Sequence, residues 1–176
     1  IRASQGFRLT SIQDRSVGEY LLFPVDVCAA GNTKLDFTNA LGAKTPKDAI
    51  AALKALCPAA VLVAHRPIFP TIGLLAIEGY DVNSGTFADE SKVALGVDAL
   101  QVWEGKRQPI VEQSIQAWMN LAERGEEVSP VAYSLSGGTF NEEVGYPRMY
   151  IRSSQTDPQK LDIEELARNI KRGRVQ

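Results

Sequence analysis

The stretch PAAVLVAHRPIFP, residues 58–70, decides the fold, and it contains the only histidine of the chain. The apolar run at 61–64 has the length and composition of a buried strand. It leads directly into His65, and an arginine and two prolines follow, which indicates that the strand opens into a loop. Functional groups of α/β sheets gather at the carboxyl ends of the strands. His65 is therefore the first candidate for a functional residue.

Helices and strands alternate around this stretch, from residue 45 to residue 133. Thr45 can cap a helix that has Pro46 in its first turn, and Asp48 complements the helix dipole. The other elements predicted in this range are strands at 59–65, 97–105 and 128–133 and a helix from Pro109 to about Glu123, with Ile110, Ile115, Trp118, Met119 and Ala122 as its buried face. This alternation predicts an α/β fold with parallel strands and crossover helices.

The two ends of the chain add further elements. Strands are predicted at 7–14, around 35–38 and at 148–154, and a last helix follows Asp162 and ends at Gly173. The apolar run at 20–28 contains a proline, which indicates a strand at an edge or with a bulge. The chain starts at Ile1 rather than at methionine, and its last residues, GRVQ, resemble the start of a strand. We expect a segment of a longer protein.

Composition narrows the class of protein. The chain has 176 residues, with 44% apolar and 23% charged side chains, which suits one globular domain. A formal net charge of −2 gives no overall field that favours nucleic acid or an acidic membrane surface. No apolar run approaches the roughly 18 to 20 residues of a membrane span. We expect no nucleic-acid or membrane partner, and the sequence does not indicate a compartment.

The two cysteines, Cys28 and Cys57, do not form a metal-type pair such as C-x-x-C. Each lies beside apolar residues. This setting favours buried free thiols over a disulfide.

The carboxyl ends of the predicted strands carry several polar residues. They are Asp14, Asp26, His65, Glu104 and the loop that begins at Ser134. Independently of these positions, the chain resembles a known family through blocks that occur in a fixed order. The blocks are AHRP after a strand, IGLLAIEGYD, DALQVWEGKRQP, WMNLAERGEEV, PVAYSLSGGTFNEEVGYPRMYI and ARNIKRGRV.

These blocks resemble the polymerase-and-histidinol-phosphatase (PHP) domain, in the branch of carbaryl-hydrolase-like metallohydrolases. The resemblance covers nearly the whole chain, most strongly residues 60–175. It implies a distorted (β/α)7 barrel, incomplete in this chain at the amino terminus. It also implies two or three divalent metals, usually zinc, manganese or iron. The implied activity is hydrolysis of phosphoesters or related bonds in small-molecule substrates.

The family's metal ligands map onto few residues of this chain. His65 fits the histidine of the family motif N-H-P. Asp26 fits the position of the family's glutamate ligand, with a shorter carboxylate. Asp14 and Arg15 stand where the family has an aspartate followed by a histidine. Ser134 matches the serine of the motif S-D-x-H. The resemblance therefore implies His65, Asp26 and Asp14 as metal ligands.

Other ligands of the family are missing. Leu135 and Gly137 replace the aspartate and the histidine of S-D-x-H, and the H-x-H of the first strand is not in this chain. Tight binding of a divalent metal needs at least three converging protein ligands at about 2.0–2.2 Å. Two hypotheses follow: a metal-dependent hydrolase with a reduced site, or a non-catalytic module that keeps the fold for binding or structure. Such a module can contact the rest of the parent chain.

Two of the candidate ligands have ordinary alternatives. His65 can be a histidine at a strand end that is bonded to neighbouring backbone rather than to a metal. Asp26 can be an inherited ligand or the partner of Arg15 or Arg66 in a salt bridge, since a carboxylate among apolar residues needs a partner.

A possible substrate pocket is suggested by charged residues near the mouth of the predicted fold. Arg66, Arg107 and Arg148 fall in loops or at strand starts, and together with Glu104 and Ser134 they can line a pocket for an anionic group. The alternative is ordinary solvated surface charge. No catalytic residue is assigned.

Overall fold

The computed structural model describes residues 7–10, 17–25, 28, 35–93, 95–105, 108–134 and 145–176 of the chain. Its strands are β1 (Phe7–Thr10), β2 (Glu19–Phe23), β3 (Val61–Ala64), β4 (Tyr80–Asp81), β5 (Thr86–Phe87), β6 (Ala99–Glu104) and β7 (Ser129–Tyr133). Its helices are α1 (Thr38–Leu41), α2 (Pro46–Leu56), α3 (Leu74–Ile77), α4 (Pro109–Glu123) and α5 (Ile163–Lys171). None of the described helices is long and apolar enough to cross a membrane.

Five strands form one mixed sheet in the order β1-β2-β3-β6-β7. The pairs β3–β6 and β6–β7 are parallel, as the alternation of helices and strands predicted. The pairs β1–β2 and β2–β3 are antiparallel. The α/β class is confirmed. Over the described ranges the sheet is open, with β1 and β7 at its edges, and does not close into a barrel.

The sheet is covered on both faces. Leu62 and Leu100 lie on the face that packs against α2 and α4. Val63 and Val131 lie on the opposite face, which packs against Ile170 of α5. This two-sided burial explains why β3 is apolar at every position, as is typical of inner parallel strands.

The prediction of an edge or bulged strand at 20–28 was wrong. β2 pairs with β1 on one side and with β3 on the other, so it is an inner strand. It ends at Phe23, directly before Pro24. Since proline has no N–H to donate to the ladder, it ends this strand instead of bending it.

The strand predicted around 35–38 was also wrong, because α1 begins at Thr38. Asp36 decides this turn: its Oδ1 accepts a hydrogen bond of 2.9 Å from the backbone N–H of Thr38. An aspartate that bonds the backbone two residues ahead favours a turn over an extended strand.

The segment 148–154 forms an isolated bridge where a strand was predicted. Ile151 pairs with Val175, and Tyr150 and Gln176 exchange two backbone hydrogen bonds of 2.8 and 3.0 Å. The predicted helix itself is confirmed, because the side chain of Asp162 caps α5.

The extent of α4 was predicted correctly, but its buried face was not. The buried residues are Val111, Ser114, Ala117 and Leu121. Met119 is 45% exposed, and Ala122 is also exposed. The predicted face included Met119 and Ala122, whereas the helix turns its small residues Ser114 and Ala117 inwards. Small side chains let the helix axis approach the sheet closely.

This rotated face gives a direct test by mutation. We expect Ala117→Leu to destabilise the protein by about 1 to 3 kcal/mol, because Ala117 is fully buried and the added atoms overpack the core. Met119→Ala should change stability by less than about 0.5 kcal/mol, since its side chain lies on the surface. Urea unfolding of both variants measures the difference. Equal losses would contradict the orientation of α4.

The cysteines form a disulfide, so the prediction of free thiols was wrong. The Cα atoms of Cys28 and Cys57 are 5.0 Å apart, and the two residues are 29 positions apart in sequence. The antiparallel register explains their approach. Because Phe23 pairs with Val61, the chain that leaves β2 meets the chain that enters β3, and Cys57 lies on that entering segment.

Candidate functional site at the His65 end of the sheet

Polar residues from four strands meet at one end of the sheet. His65 directly follows β3, Glu104 is the last residue of β6, and Tyr133 is the last residue of β7. Glu19 is the first residue of β2, and its carbonyl accepts a 2.8 Å hydrogen bond from the backbone N–H of His65. Since β2 runs against β3, its amino end lies beside the carboxyl ends of the parallel strands.

His65 and Glu19 are buried, with exposed fractions of 2% and 0%. The imidazole Nε2 of His65 lies 3.7 Å from Oε2 of Glu19 and 3.9 Å from Oε2 of Glu104. Glu104 is half-buried. Burying polar groups costs free energy unless they are hydrogen-bonded or paired. The contacts among these side chains therefore determine what the site can bind.

Gln101 of β6 connects the polar residues. Its Oε1 accepts hydrogen bonds from the backbone N–H of Arg66, at 2.8 Å, and from the hydroxyl of Tyr133, at 3.0 Å. Its Nε2 donates to Oε2 of Glu104 at 2.7 Å. Because a backbone N–H can only donate and a carboxylate can only accept, these contacts fix the orientation of the Gln101 amide.

The same network assigns a tautomer to His65. Tyr133 has one hydroxyl proton, which it donates to Gln101. Its oxygen also contacts Nδ1 of His65, so Nδ1 must carry the proton and donate it to that oxygen. The other ring nitrogen, Nε2, then faces the carboxylates of Glu19 and Glu104.

Arg66 places a fixed positive charge at the edge of this network. Its Nε donates to Oε1 of Glu104 at 3.0 Å. Its backbone has a φ of 44°, in the left-handed region that costs a non-glycine residue about 1 kcal/mol or more. This conformation points the backbone N–H of Arg66 at Gln101 while the guanidinium reaches Glu104.

The predicted site residues fall into three groups. The structure brings together His65, Arg66 and Glu104, and Ser134 follows Tyr133 and is half-buried. Arg148 is exposed, on the segment that leads to the bridge at Ile151. Asp14, Asp26 and Arg107 lie outside the described residues, as do Leu135 and Gly137.

A small cavity lies beside Arg66 and Glu104. Its volume is about 70 Å³, and its other lining residues include Phe69, Gln101 and Gln108. This volume holds a few water molecules, and it is far below the roughly 300 to 1,000 Å³ of pockets that enclose organic ligands. Arg107 lies outside the described residues, so the anion pocket that the arginines suggested stays a prediction.

Three central residues, Glu19, Gln101 and Tyr133, were not predicted from the sequence. The carboxyl ends of strands supplied the candidates, and that is the wrong end for the antiparallel β2. A usable signal was present for Glu19 and Gln101. Both are polar residues at strand positions among apolar neighbours, in EYLLF and ALQVWE.

The described donors do not fit a metal ion. Among the residues that the structure describes, His, Cys, Asp and Glu form no group of three or more that could hold a metal. The carboxylate of Glu104 is instead bonded to Arg66 and Gln101. A guanidinium at a carboxylate competes with a metal for the same oxygens.

Comparisons with known proteins give no match. No family model, curated protein or solved structure matches the chain. The relation to PHP domains therefore stays a prediction from the sequence, and the contacts of the site are the basis for its function.

Proposed function

We propose that the chain is a PHP-like domain in which a polar network replaces the metal centre, and that it serves as a non-catalytic binding or structural module. The observation that carries the proposal is the Arg66–Glu104 ion pair, with Gln101 bonded to the same carboxylate. In this proposal the five-stranded sheet corresponds to part of a distorted (β/α)7 barrel.

Charge balance supports this assignment. Carboxylates at the ends of strands need a cation nearby, and in metallohydrolases the metal supplies it. In this chain the guanidinium of Arg66 lies 3.0 Å from Glu104. A divalent ion at that carboxylate would repel the guanidinium at close range. The imidazole of His65 is likewise held by Tyr133 through Nδ1.

A second candidate is a metal-dependent hydrolase of phosphoester-like bonds. It is favoured by the direction of Nε2 of His65, which faces two carboxylates at 3.7 and 3.9 Å. Zinc, manganese or iron held by His65, Asp26 and Asp14 would lower the pKa of a bound water towards about 7. Neither aspartate belongs to the described residues, and the described donors alone do not form that site.

Metal content separates the two candidates. We expect the purified chain, incubated with zinc or manganese and desalted, to retain far less than one metal ion per chain by elemental analysis. His65→Ala should give the same value, and p-nitrophenyl phosphate should not be hydrolysed above the blank. Near-stoichiometric metal that is lost in His65→Ala would overturn the proposal in favour of the hydrolase.

Variants of two arginines sharpen this experiment. Arg66→Ala removes the cation beside Glu104 and should increase zinc affinity, whereas Arg148→Ala removes an exposed arginine and should not.

The double substitution Leu135→Asp with Gly137→His restores two metal ligands of the family and tests the relation to PHP domains separately. No gain in affinity in the restored chain would count against the PHP assignment.

A further inference from the structure

A second, larger cavity lies between α2 and the segment that runs from Glu78 to Gly96. Its volume is about 810 Å³, within the roughly 300 to 1,000 Å³ of pockets for small organic molecules. Its apolar wall includes Ile50 and Ala51 of α2 and, from the facing segment, Val93 and Leu95. None of its lining residues belongs to the network around His65, so it is a separate site.

Glu78 is the carboxylate of this cavity. It follows α3 and is half-buried. Burial raises its pKa above the usual value, and no hydrogen bond or opposite charge from the described residues offsets that effect. The negative charge of Glu78 adds to burial in raising the pKa of the Tyr20 hydroxyl. A partly desolvated carboxylate of this kind is stabilised by a cation from a ligand.

The two lysines in the lining do not serve as that cation. Nζ of Lys54 donates to Oδ1 of Asp98 at 3.1 Å, and Asp98 is outside the lining. Lys47 is exposed, near the first turn of α2. Within the described lining, Glu78 alone carries a carboxylate, and it is set beside an apolar wall.

We propose that this cavity binds small amphipathic amines, with the protonated amine on Glu78 and the apolar body against Ile50, Val93 and Leu95. The apolar wall provides affinity in proportion to the area it removes from water. The ion pair provides the preference for a cation, because Glu78 is already partly desolvated in the free protein and gains an opposite charge when the amine binds.

Three six-carbon probes test the proposal on the full chain. Hexylamine, 1-hexanol and hexanoate have the same apolar body and differ in charge. We expect hexylamine to bind most tightly by NMR titration, about five- to tenfold more tightly than hexanol, with hexanoate weakest. The amide signals that shift should come from residues 47–54 and 93–96. Glu78→Gln should reduce the affinity for hexylamine to that for hexanol.

A control variant and a pH titration test whether Glu78 causes the preference for hexylamine. Glu123→Gln changes an exposed carboxylate of α4 and should leave all three affinities unchanged. The preference for hexylamine should vanish as pH falls through the pKa of Glu78, and burial sets that loss at a higher pH than for an exposed glutamate. Absence of shifts, stronger binding of hexanoate, or a preference retained in a folded Glu78→Gln variant would each overturn the proposal.

Discussion

Reduction of the disulfide between Cys28 and Cys57 should lower the free energy of unfolding by about 3 to 4 kcal/mol. The disulfide closes a loop of 29 residues, and its loss returns that much chain entropy to the unfolded state. For a domain of this length the change corresponds to a fall in Tm on the order of 10 °C.

Thermal unfolding followed by circular dichroism, with and without a phosphine reductant, measures this effect. The matched control is a chain with Cys28→Ser and Cys57→Ala, since Cys57 is buried and suits a small apolar replacement. The control should melt at the lower temperature in both buffers. The disulfide would be refuted if the Tm of the native chain were the same with and without the reductant. Two titratable thiols under non-reducing conditions would also refute it.

Replacement of Gln101 by leucine should cost about 3 kcal/mol, at roughly 1 kcal/mol for each of its three hydrogen bonds. The two shapes are similar, so the loss comes mainly from the partners that remain. The backbone N–H of Arg66 and the hydroxyl of Tyr133 lose their acceptor, and Glu104 loses a donor. Such groups keep their desolvation cost when the bond is gone.

Gln116→Leu is the matched control, because Gln116 is exposed on α4 and, among the described residues, its side chain bonds to Asn120. We expect it to change stability by less than about 0.5 kcal/mol in urea unfolding. A second readout is the ¹⁵N NMR spectrum of His65, which should show the proton on Nδ1 in the native chain. Equal stability of the two variants would show that Gln101 does not organise the site.

Local signals in the sequence were sufficient for much of the fold. The cap at Thr45 is confirmed, since its side chain accepts a hydrogen bond from the backbone N–H of Asp48. The apolar run before His65 is a strand, and the parallel pairing of β6 with β7 follows from the helix between them. These features depend on residues a few positions apart, which is the range over which a sequence pattern is informative.

The remaining features depend on residues that are distant in sequence. Glu19 meets His65, and Cys28 meets Cys57, only because β2 pairs with β3 in one antiparallel register. The buried face of α4 depends on how closely the helix approaches the sheet, and the face predicted from the sequence included Met119 but not Ala117. Strand direction and packing distance are set by the whole domain, so the pattern of apolar residues did not reveal them.

The disulfide also favours the register that places Glu19 beside His65. β2 and β3 are joined covalently near the end where Phe23 pairs with Val61, and Glu19 lies at the other end of the same strand pair. A slip of β2 by one residue would turn every side chain of the strand to the opposite face. The covalent link opposes that slip. It thereby keeps the carboxylate of Glu19, rather than the ring of Tyr20, beside the imidazole.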